Sequence, residues 1–331
     1  MTASLTLSCD DSDITRALVT GEVSPTDVEL DVDLTYPPKR HRQFCRTDAY
    51  DVAELCLASS LAAQEEDVMD PFTAIPVFPS KTFRHAFFYT RSDADIDEPS
   101  DLEGGDVGIQ SWQTAANVWM RGILQEHYGL DLESVRWHRR REDDVPRSIP
   151  DRYDVRSVSG PQGGDAIESP RDLTNRLLDG DLDAVMDPAG SLLERAWTDD
   201  ELAFVFDDPM NEEKRYYERT GIVPIMHVVA IRDRVLEADP TIAGRIFDAF
   251  VRARDRGLER VRRPSYTMSL VWAHLHRLEQ QSVLGPGETV WEYGLTERNR
   301  RAFETFARYA HQQGIIDRQY DPEDVFVTPD R

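Results

Sequence analysis

The chain has 331 residues, of which 40% are hydrophobic and 9% aromatic, so it can bury a large core and is not a disordered protein. Its net charge is −24, with 62 acidic residues and only three lysines, Lys39, Lys81 and Lys214. This negative field repels phosphate and disfavours nucleic-acid binding. An acid-rich, lysine-poor surface is typical of proteins from salty cytoplasm, and we expect a halophilic protein, with an acidic mesophile protein as the alternative.

The cysteines and the N-terminus both indicate a cytoplasmic protein. Cys9, Cys45 and Cys56 are odd in number and lack CxxC spacing, so we expect reduced thiols and no disulfide framework. The first residues, MTASLTLSCDDSD, show neither a charged leader nor a long apolar run. No segment approaches the ~18 apolar residues that a membrane helix needs, so no membrane partner is expected.

Strand and helix patterns alternate through the first ninety residues, which predicts a mainly parallel α/β sheet. We expect strands at 5–9, 28–34, 50–55, 72–78 and 86–89, helices at 14–19 and 39–47, and a turn of small residues at 58–60. The helix at 39–47 is basic and is interpreted as a solvated surface helix.

A polar break at 92–104 predicts the crossing into a second lobe. We assign residues 1–90 and 222–331 to the first lobe and 91–221 to the second. The apolar run at 221–231 is long enough to return between lobes as an extended strand.

Further patterns predict the elements of the second lobe and of the C-terminal part. Strands are expected at 106–109 and 135–138, in a short segment that ends at 186, and within 199–206. Helices are expected at 115–128, 169–178, 209–219, 240–258, 269–280 and 297–313. The segment 139–164 is interpreted as a surface excursion, and 321–331 as a polar tail.

No motif predicts a metal or an organic cofactor. The chain has no internal repeat, no GxGxxG after a strand, no P-loop and no HExxH, and its eight histidines are scattered. We therefore expect neither group.

Three junctions between predicted elements carry polar or basic side chains that suit a carboxylate ligand. Backbone N–H groups at a helix start, hydroxyls and guanidinium groups all bind carboxylates. The candidates are Ser59 and Ser60 after the third strand, Lys81, Arg84 and His85 after the fourth, and Gln113 and Thr114 before the helix at 115–128. Turn capping by the hydroxyls and a surface ion pair for Arg84 are the alternatives.

Six stretches in register over nearly the whole chain resemble the 4,5-dihydroxyphthalate decarboxylase family. They are 50–54 (YDVAE), 72–85 (FTAIPVFPSKTFRH), 108–124, 179–184 (DGDLDA), 219–232 (RTGIVPIMHVVAIR) and 291–315 (WEYGLTERNRRAFETFARYAHQQGI). The resemblance implies a two-lobed type II periplasmic-binding-protein-like fold, with a hinge and an interlobe cleft, related to ABC transporter substrate-binding proteins. The segment 139–164 matches least.

The resemblance also implies a carboxy-lyase that converts 4,5-dihydroxyphthalate, a small anionic aromatic substrate, into protocatechuate and CO₂. This reaction needs a base near a phenol, an acid near the ring carbon and a cation on the second carboxylate, but no metal or cofactor.

Within that implied reaction, Arg84 is the candidate carboxylate clamp and Lys81 a second cation. His227 and His85 are the candidates for proton transfer, because histidine titrates near neutrality. Glu54 is a candidate base, although pairing with an arginine is an open alternative. Ser59, Ser60, Gln113 and Thr114 would donate hydrogen bonds to substrate oxygens.

Two non-catalytic functions remain open from the sequence. The same lobes could form a solute-binding protein for an anionic aromatic ligand, of the ABC-transporter type, or an intracellular ligand sensor. The sequence does not indicate the oligomeric state.

Overall fold

The computed structural model of the chain describes residues 3–66, 68, 70–158, 171–263, 269–285 and 289–328. The chain divides into two compact units. Unit 1 comprises Met1–Lys81, Ile225–Phe303 and Tyr320–Arg331, and unit 2 comprises Thr82–Pro224 and Glu304–Gln319.

The elements follow one another as strands and helices throughout the chain. The strands are β1 (Ala3–Ser8), β2 (Val28–Asp33), β3 (Val52–Cys56), β4 (Phe72–Lys81), β5 (Phe88–Arg91), β6 (Asp106–Ile109), β7 (Arg136–Arg139), β8 (Asp154–Ser157), β9 (Ala184–Met186), β10 (Leu202–Phe204) and β11 (Ile225–Arg232). The helices are α1 (Arg16–Val19), α2 (Pro37–Arg46), α3 (Leu57–Ala62), α4 (Ala115–Tyr128), α5 (Arg171–Leu178), α6 (Leu193–Thr198), α7 (Pro209–Thr220), α8 (Asp233–Ala238), α9 (Ile242–Arg262), α10 (Ala273–Leu284), α11 (Glu297–Gln312) and α12 (Pro322–Val325).

Unit 1 is built on a five-stranded sheet with the order β2-β1-β3-β11-β4. The first three strands are parallel, as their alternation with helices predicts, whereas β11 runs antiparallel to both β3 and β4. Every residue of β3 is buried. A fully buried central strand can carry a polar side chain only if that side chain finds a partner, and β3 carries Glu54.

Helix α2 differs from the solvated surface helix that its basic sequence predicts. Pro37 occupies its first turn, where a fixed φ and a missing N–H cost nothing. Arg40, His41, Phe44 and Cys45 are buried on one face of the helix. The interpretation as a solvated helix was wrong because Arg40 finds acidic partners in the interior of unit 1.

Unit 2 is built on a six-stranded mixed sheet with the order β10-β5-β9-β6-β7-β8. Strand β5 pairs with β9 and β10, so the chain enters unit 2 after Lys81 rather than after residue 90. Strand β8 lies inside the predicted surface excursion and pairs in parallel with β7. Helix α4 has the predicted bounds and ends at Gly129, whose φ of +73° is the left-handed conformation that glycine favours.

Two more segments differ from their sequence interpretation. The small residues at 58–60 form part of α3 instead of a turn. In the C-terminal tail, predicted as polar, α12 precedes the buried Phe326, which bridges to Ala74 of β4. The predicted helix cap at Ser169 lies outside the described residues. None of the helices in the described ranges combines the length and apolar character needed to cross a bilayer.

Candidate functional site

A buried carboxylate and a histidine meet in the middle of the unit 1 sheet. The Nδ1 atom of His227 lies 2.6 Å from Oε1 of Glu54. The Glu54 side chain is 1% exposed, whereas the His227 side chain is 16% exposed. The pair therefore has one buried end, the carboxylate, and one end that reaches solvent, the imidazole ring.

Strand register explains why these two side chains meet. In the antiparallel pairing of β3 with β11, Val229 lies opposite Glu54 and His227 lies opposite Cys56. His227 is thus two residues from the partner of Glu54, on the same face of the sheet and within reach of a long side chain. The pairing of β11 with β4 shifts register on both sides of His227.

Arg40 and Asp10 surround the buried end of the pair. The Arg40 guanidinium is fully buried; its Nη1 donates to Oδ1 of Asp10 at 2.9 Å and its Nη2 lies 3.6 Å from Oε2 of Glu54. Its Nε donates to the backbone oxygen of Glu54 at 2.9 Å. The backbone N–H of Asp10 donates to Oε2 of Glu54 at 2.9 Å. Glu54 therefore has partners on both carboxylate oxygens.

These partners decide the charge of Glu54. Burial alone raises the pKa of this carboxyl, but the Arg40 charge and the hydrogen bond from His227 more than offset burial, and the pKa falls to about 2. An ionised carboxylate can only accept, so Nδ1 of His227 carries the proton. The Nε2 atom is then a base when the ring is neutral and an acid when it is charged.

The same cluster contains donor atoms of the kinds that bind metals. Donor atoms of Asp10, Glu54 and His227 all lie within 4.8 Å of one another. The Arg40 guanidinium, however, already donates to Asp10 and lies beside Glu54, and a cation placed there would compete with it. We interpret the cluster as an ion-pair network that holds an imidazole.

The remaining candidates of unit 1 are buried. Ser59 and Ser60 lie in α3, and the Ser60 hydroxyl has no hydrogen-bond partner among the described residues. The Lys81 ammonium donates to the backbone oxygen of Val290 at 2.7 Å, to Oδ1 of Asn299 at 2.6 Å and to the backbone oxygen of Glu292 at 3.4 Å. Its three protons are thus engaged by protein, and burial lowers its pKa to about 7. We do not include these three residues in the proposed site.

In unit 2, Arg84 lies beside a small cavity. Its Nη1 donates to the backbone oxygen of Pro188 at 3.0 Å and its guanidinium carbon lies 4.9 Å from the centroid of the Phe87 ring. The cavity measures about 10 Å³ and is lined by Arg84, Phe87, Ala116, Asn117, Met120, Met186 and Pro188. Arg84 is therefore close to the first turn of α4, with apolar side chains around it.

His85 lies in an aromatic environment instead of a polar one. It is completely buried, and its ring contacts Tyr128, Phe206 and Tyr216 at centroid distances of 5.0–6.3 Å. Neither ring nitrogen has a hydrogen-bond partner among the described residues. Burial lowers its pKa to about 3, so this ring stays neutral and packs as part of the core.

Gln113 and Thr114 form the predicted turn before α4. The backbone N–H and the side-chain amide of Gln113 are, however, hydrogen-bonded to other residues of the protein. Its backbone N–H donates to Oδ1 of Asp143 at 2.7 Å, and its side chain exchanges hydrogen bonds with Val145. The Thr114 hydroxyl lies 2.8 Å from that of Ser111. Gln113 thus anchors the segment after β7, and a native carboxylate occupies its N–H.

The sequence analysis missed Arg40 and Asp10. One signal could have indicated them. Asp10 follows the end of β1, and ligands of α/β sheets lie outside the carboxyl ends of strands. The neighbouring parallel strand β3 carries Glu54 two residues before its carboxyl end, so an arginine on the intervening α2 had two acidic candidates within reach.

Two curated relatives share one name. A 4,5-dihydroxyphthalate decarboxylase from Comamonas testosteroni is 31% identical over 325 residues, covering 97% of this chain and 96% of the relative. A 4,5-dihydroxyphthalate decarboxylase from Pseudomonas putida is 32% identical over 209 residues, covering 61% of this chain and 76% of the relative. No family model matches the chain.

Solved structures share the fold at low sequence identity. The periplasmic aliphatic sulphonate binding protein SsuA from Escherichia coli superposes with a TM-score of 0.56 at 11% identity, covering 98% of both chains. The desulfurization enzyme DSZB gives 0.51 at 14% identity, covering 98% of this chain and 96% of DSZB. The prediction of a two-lobed periplasmic-binding-protein-like α/β fold is confirmed.

Proposed function

This chain belongs to the 4,5-dihydroxyphthalate decarboxylase family, and we propose that it removes one carboxylate from 4,5-dihydroxyphthalate, or from a closely related hydroxylated aromatic acid. The products are protocatechuate and CO₂. The observation that carries this proposal is the Glu54–His227 pair, in which a buried ionised carboxylate holds an imidazole whose second nitrogen remains available.

We assign proton transfer at the substrate phenol to His227. Neutral Nε2 accepts the phenol proton, and the electrons of the O–H bond move into the ring toward the carbon para to it, which bears the departing carboxylate. A proton from solvent adds at that carbon. The C–C bond then breaks, its electrons restore the aromatic ring, CO₂ leaves, and the imidazolium returns its proton to the oxygen. The net reaction consumes one proton and yields CO₂.

Glu54 contributes to both proton steps through the ring. Its carboxylate stabilises the imidazolium that forms, and it keeps the proton on Nδ1 so that Nε2 can act as the base. Because Glu54 is buried behind the ring, its effect on the substrate passes through His227.

Arg84 is the proposed contact for a substrate carboxylate in unit 2. A guanidinium can grip a carboxylate through two parallel hydrogen bonds. The side chain is half-buried, and its stacking on Phe87 leaves it pre-oriented.

Turnover of a defined substrate tests the proposed function. Pure protein is incubated with 4,5-dihydroxyphthalate at high salt, and CO₂ and protocatechuate are measured together. Equimolar release of both products supports the proposal. Tight binding of unaltered 4,5-dihydroxyphthalate without any release would instead support the alternative, a solute-binding protein or sensor.

We also propose that the protein works in a salt-rich cytoplasm. The chain carries 62 acidic residues against 38 basic ones, and the three cysteines are buried thiols that form no disulfide in the described part of the chain, as suits a reducing compartment. Salt screens the repulsion between the acidic groups. Activity and melting temperature should therefore rise together as KCl is increased into the molar range, and a flat or falling response would contradict the proposal.

A further inference from the structure

We propose that Arg40 is a positioning residue that sets the pH range in which the Glu54–His227 pair releases its proton, and thus the pH range in which His227 is a base. This inference rests on the proposed function for its catalytic meaning. Its physical content, the effect of one buried charge on a neighbouring acid–base pair, can be measured without turnover.

The geometry makes Arg40 part of the pair's immediate surroundings. Its side chain is 0% exposed, so water does not screen its charge from Glu54. It contacts Glu54 twice, by Nε to the backbone oxygen and by Nη2 to the carboxylate side. A further bond from Nη1 to the backbone oxygen of Thr35 fixes the guanidinium in place.

The charge of Arg40 favours one of the two protonation states of the Glu54–His227 pair. The pair exists either with its proton, as Glu54 carboxylate and His227 imidazolium with no net charge, or without it, with a net charge of −1. A buried net negative charge is costly unless a cation compensates it. Arg40 supplies that cation, and it therefore stabilises the form in which His227 is neutral and basic.

Other groups around the pair also affect its proton release. The charged or titratable side chains that face it from neighbouring elements are Cys9 and Asp10 after β1, Arg40 and His41 on α2, and Tyr293 before α11. Burial raises the pKa values of the Cys9 thiol and the Tyr293 hydroxyl, so both stay neutral near pH 7. The Arg40 charge is opposed mainly by the half-exposed carboxylate of Asp10.

Replacing Asp10 should shift the proton release of the pair in the direction opposite to replacing Arg40. Its carboxylate accepts from Arg40, while its backbone N–H donates to Glu54. Asp10→Asn removes the negative charge but keeps the backbone hydrogen bond and an oxygen for Arg40. The net positive influence on the pair then grows, so the pair should release its proton at lower pH than in the wild type.

The experiment follows the protonation of His227 in the full-length protein. The protein is labelled with ¹⁵N-histidine, the His227 ring is assigned by its loss in His227→Gln, and its shifts are recorded against pH at constant salt. Wild type is compared with Arg40→Met, Arg40→Lys and Asp10→Asn. The pH dependence of kcat/KM is measured on the same variants with 4,5-dihydroxyphthalate.

We expect Arg40→Met to raise the titration midpoint of the pair by about one pH unit or more, the size of effect that a single charge at this distance produces. On the acid limb, kcat/KM should fall about tenfold for each unit of that shift. Arg40→Lys should restore the wild-type midpoint because it restores the charge. Asp10→Asn should move the midpoint downward.

Arg232→Met is the matched control. Arg232 is another buried arginine of unit 1, on the same strand as His227, and it donates to the backbone oxygens of Phe44, Thr47 and Tyr50. In the described part of the chain its polar contacts are with these backbone oxygens and with Asp70, and not with Glu54 or His227. The control should leave the midpoint unchanged even where it lowers stability.

The outcomes separate this inference from the proposed function. If the midpoint moves as described but no product forms, the charge effect stands and the decarboxylase proposal fails. If product forms but the midpoint is the same in wild type, Arg40→Met and Asp10→Asn, the role of Arg40 is overturned. Should Arg40→Met not fold, Arg40→Gln removes the same charge and keeps a donor for the backbone oxygens of Glu54 and Thr35; a raised midpoint then supports the role of Arg40, and a wild-type midpoint overturns it.

Discussion

Replacing Glu54 with glutamine removes one buried charge and almost no volume. The amide oxygen can still accept from the backbone N–H of Asp10, and the amide NH2 can donate to Nδ1 of His227 once the ring proton moves to Nε2, so the packing of β3 against β11 should survive. What is lost is the negative charge between Arg40 and the imidazole ring. Any effect of Glu54→Gln therefore reports on that charge.

The structure gives a magnitude for the effect on stability. The pKa of Glu54 falls from its ordinary value of 4.5 to about 2, which corresponds to about 3 kcal/mol at 1.36 kcal/mol per pH unit. Because the folded-state pKa is the lower one, this contribution is complete above pH 4.5 and is lost as the pH falls through 2. Glu54→Gln should therefore lower the free energy of unfolding by about 3 kcal/mol at pH 7, and by progressively less below pH 4.5.

The assay is urea unfolding at fixed high salt and at several pH values, together with steady-state kinetics. We expect kcat to fall by a factor on the order of 10²–10⁴, since the imidazolium loses its carboxylate. A stability difference that is the same at pH 7 and pH 3 would refute the charge argument. A kcat within threefold of wild type in a folded variant would refute the role of Glu54 in proton transfer.

Glu213→Gln is a contrasting control in unit 2. Burial raises the pKa of Glu213 to about 7, so the folded state favours the neutral form. Its stabilising contribution is present below pH 4.5 and is lost as the pH rises through 7. The neutral glutamine should therefore become increasingly favourable relative to wild type between pH 4.5 and 7, and the difference should level off above pH 7, whereas the effect of Glu54→Gln changes below pH 4.5.

Three other substitutions test separate parts of the structure. Arg84→Ala should weaken substrate affinity by ~1.5–3 kcal/mol, the range for charged hydrogen bonds, and unchanged affinity would remove Arg84 from the site. His227→Gln should depress kcat far more than it changes KM; equal effects on both would make His227 a binding group only. Gly122→Ala should lower the free energy of unfolding by about 1–3 kcal/mol in urea titrations, because its new Cβ would overlap the Tyr309 ring. Adding Tyr309→Ala should remove most of this additional penalty, and a stability of Gly122→Ala equal to wild type would contradict the close approach.

Much of the fold could be predicted because local signals and tertiary structure agree. The bounds of β6 and α4 match the sequence prediction, since an apolar strand, a helix start and the stop at Gly129 all lie within one short segment. Predictions failed where hydrogen bonding to a neighbouring strand, and not the local sequence, determines the secondary structure. Strand β8 is charged and exposed, and only its pairing with β7 makes it a strand.

The site was predictable only in part, for a related reason. Glu54 and His227 stand out as polar residues within apolar strands, and such residues need a partner or a function. Arg40 does not stand out, because it lies among other basic residues on a helix whose sequence resembles a surface helix. Its burial depends on the distant Asp10 and Glu54, which no local pattern reveals. The opposite error occurred at His85. Its sequence neighbours are basic and indicated a polar site, but in the folded protein its ring packs against Phe206 and Tyr216.

The position of β11 has a consequence for how the protein inactivates. This strand is bonded along both sides, to β3 and to β4, and amides in such interior strands exchange with solvent only when the surrounding domain opens. The imidazole is thus mounted on a part of the chain that resists fraying. On slow heating, loss of turnover should coincide with the cooperative melting of unit 1, without an earlier phase in which a folded protein has already become inactive.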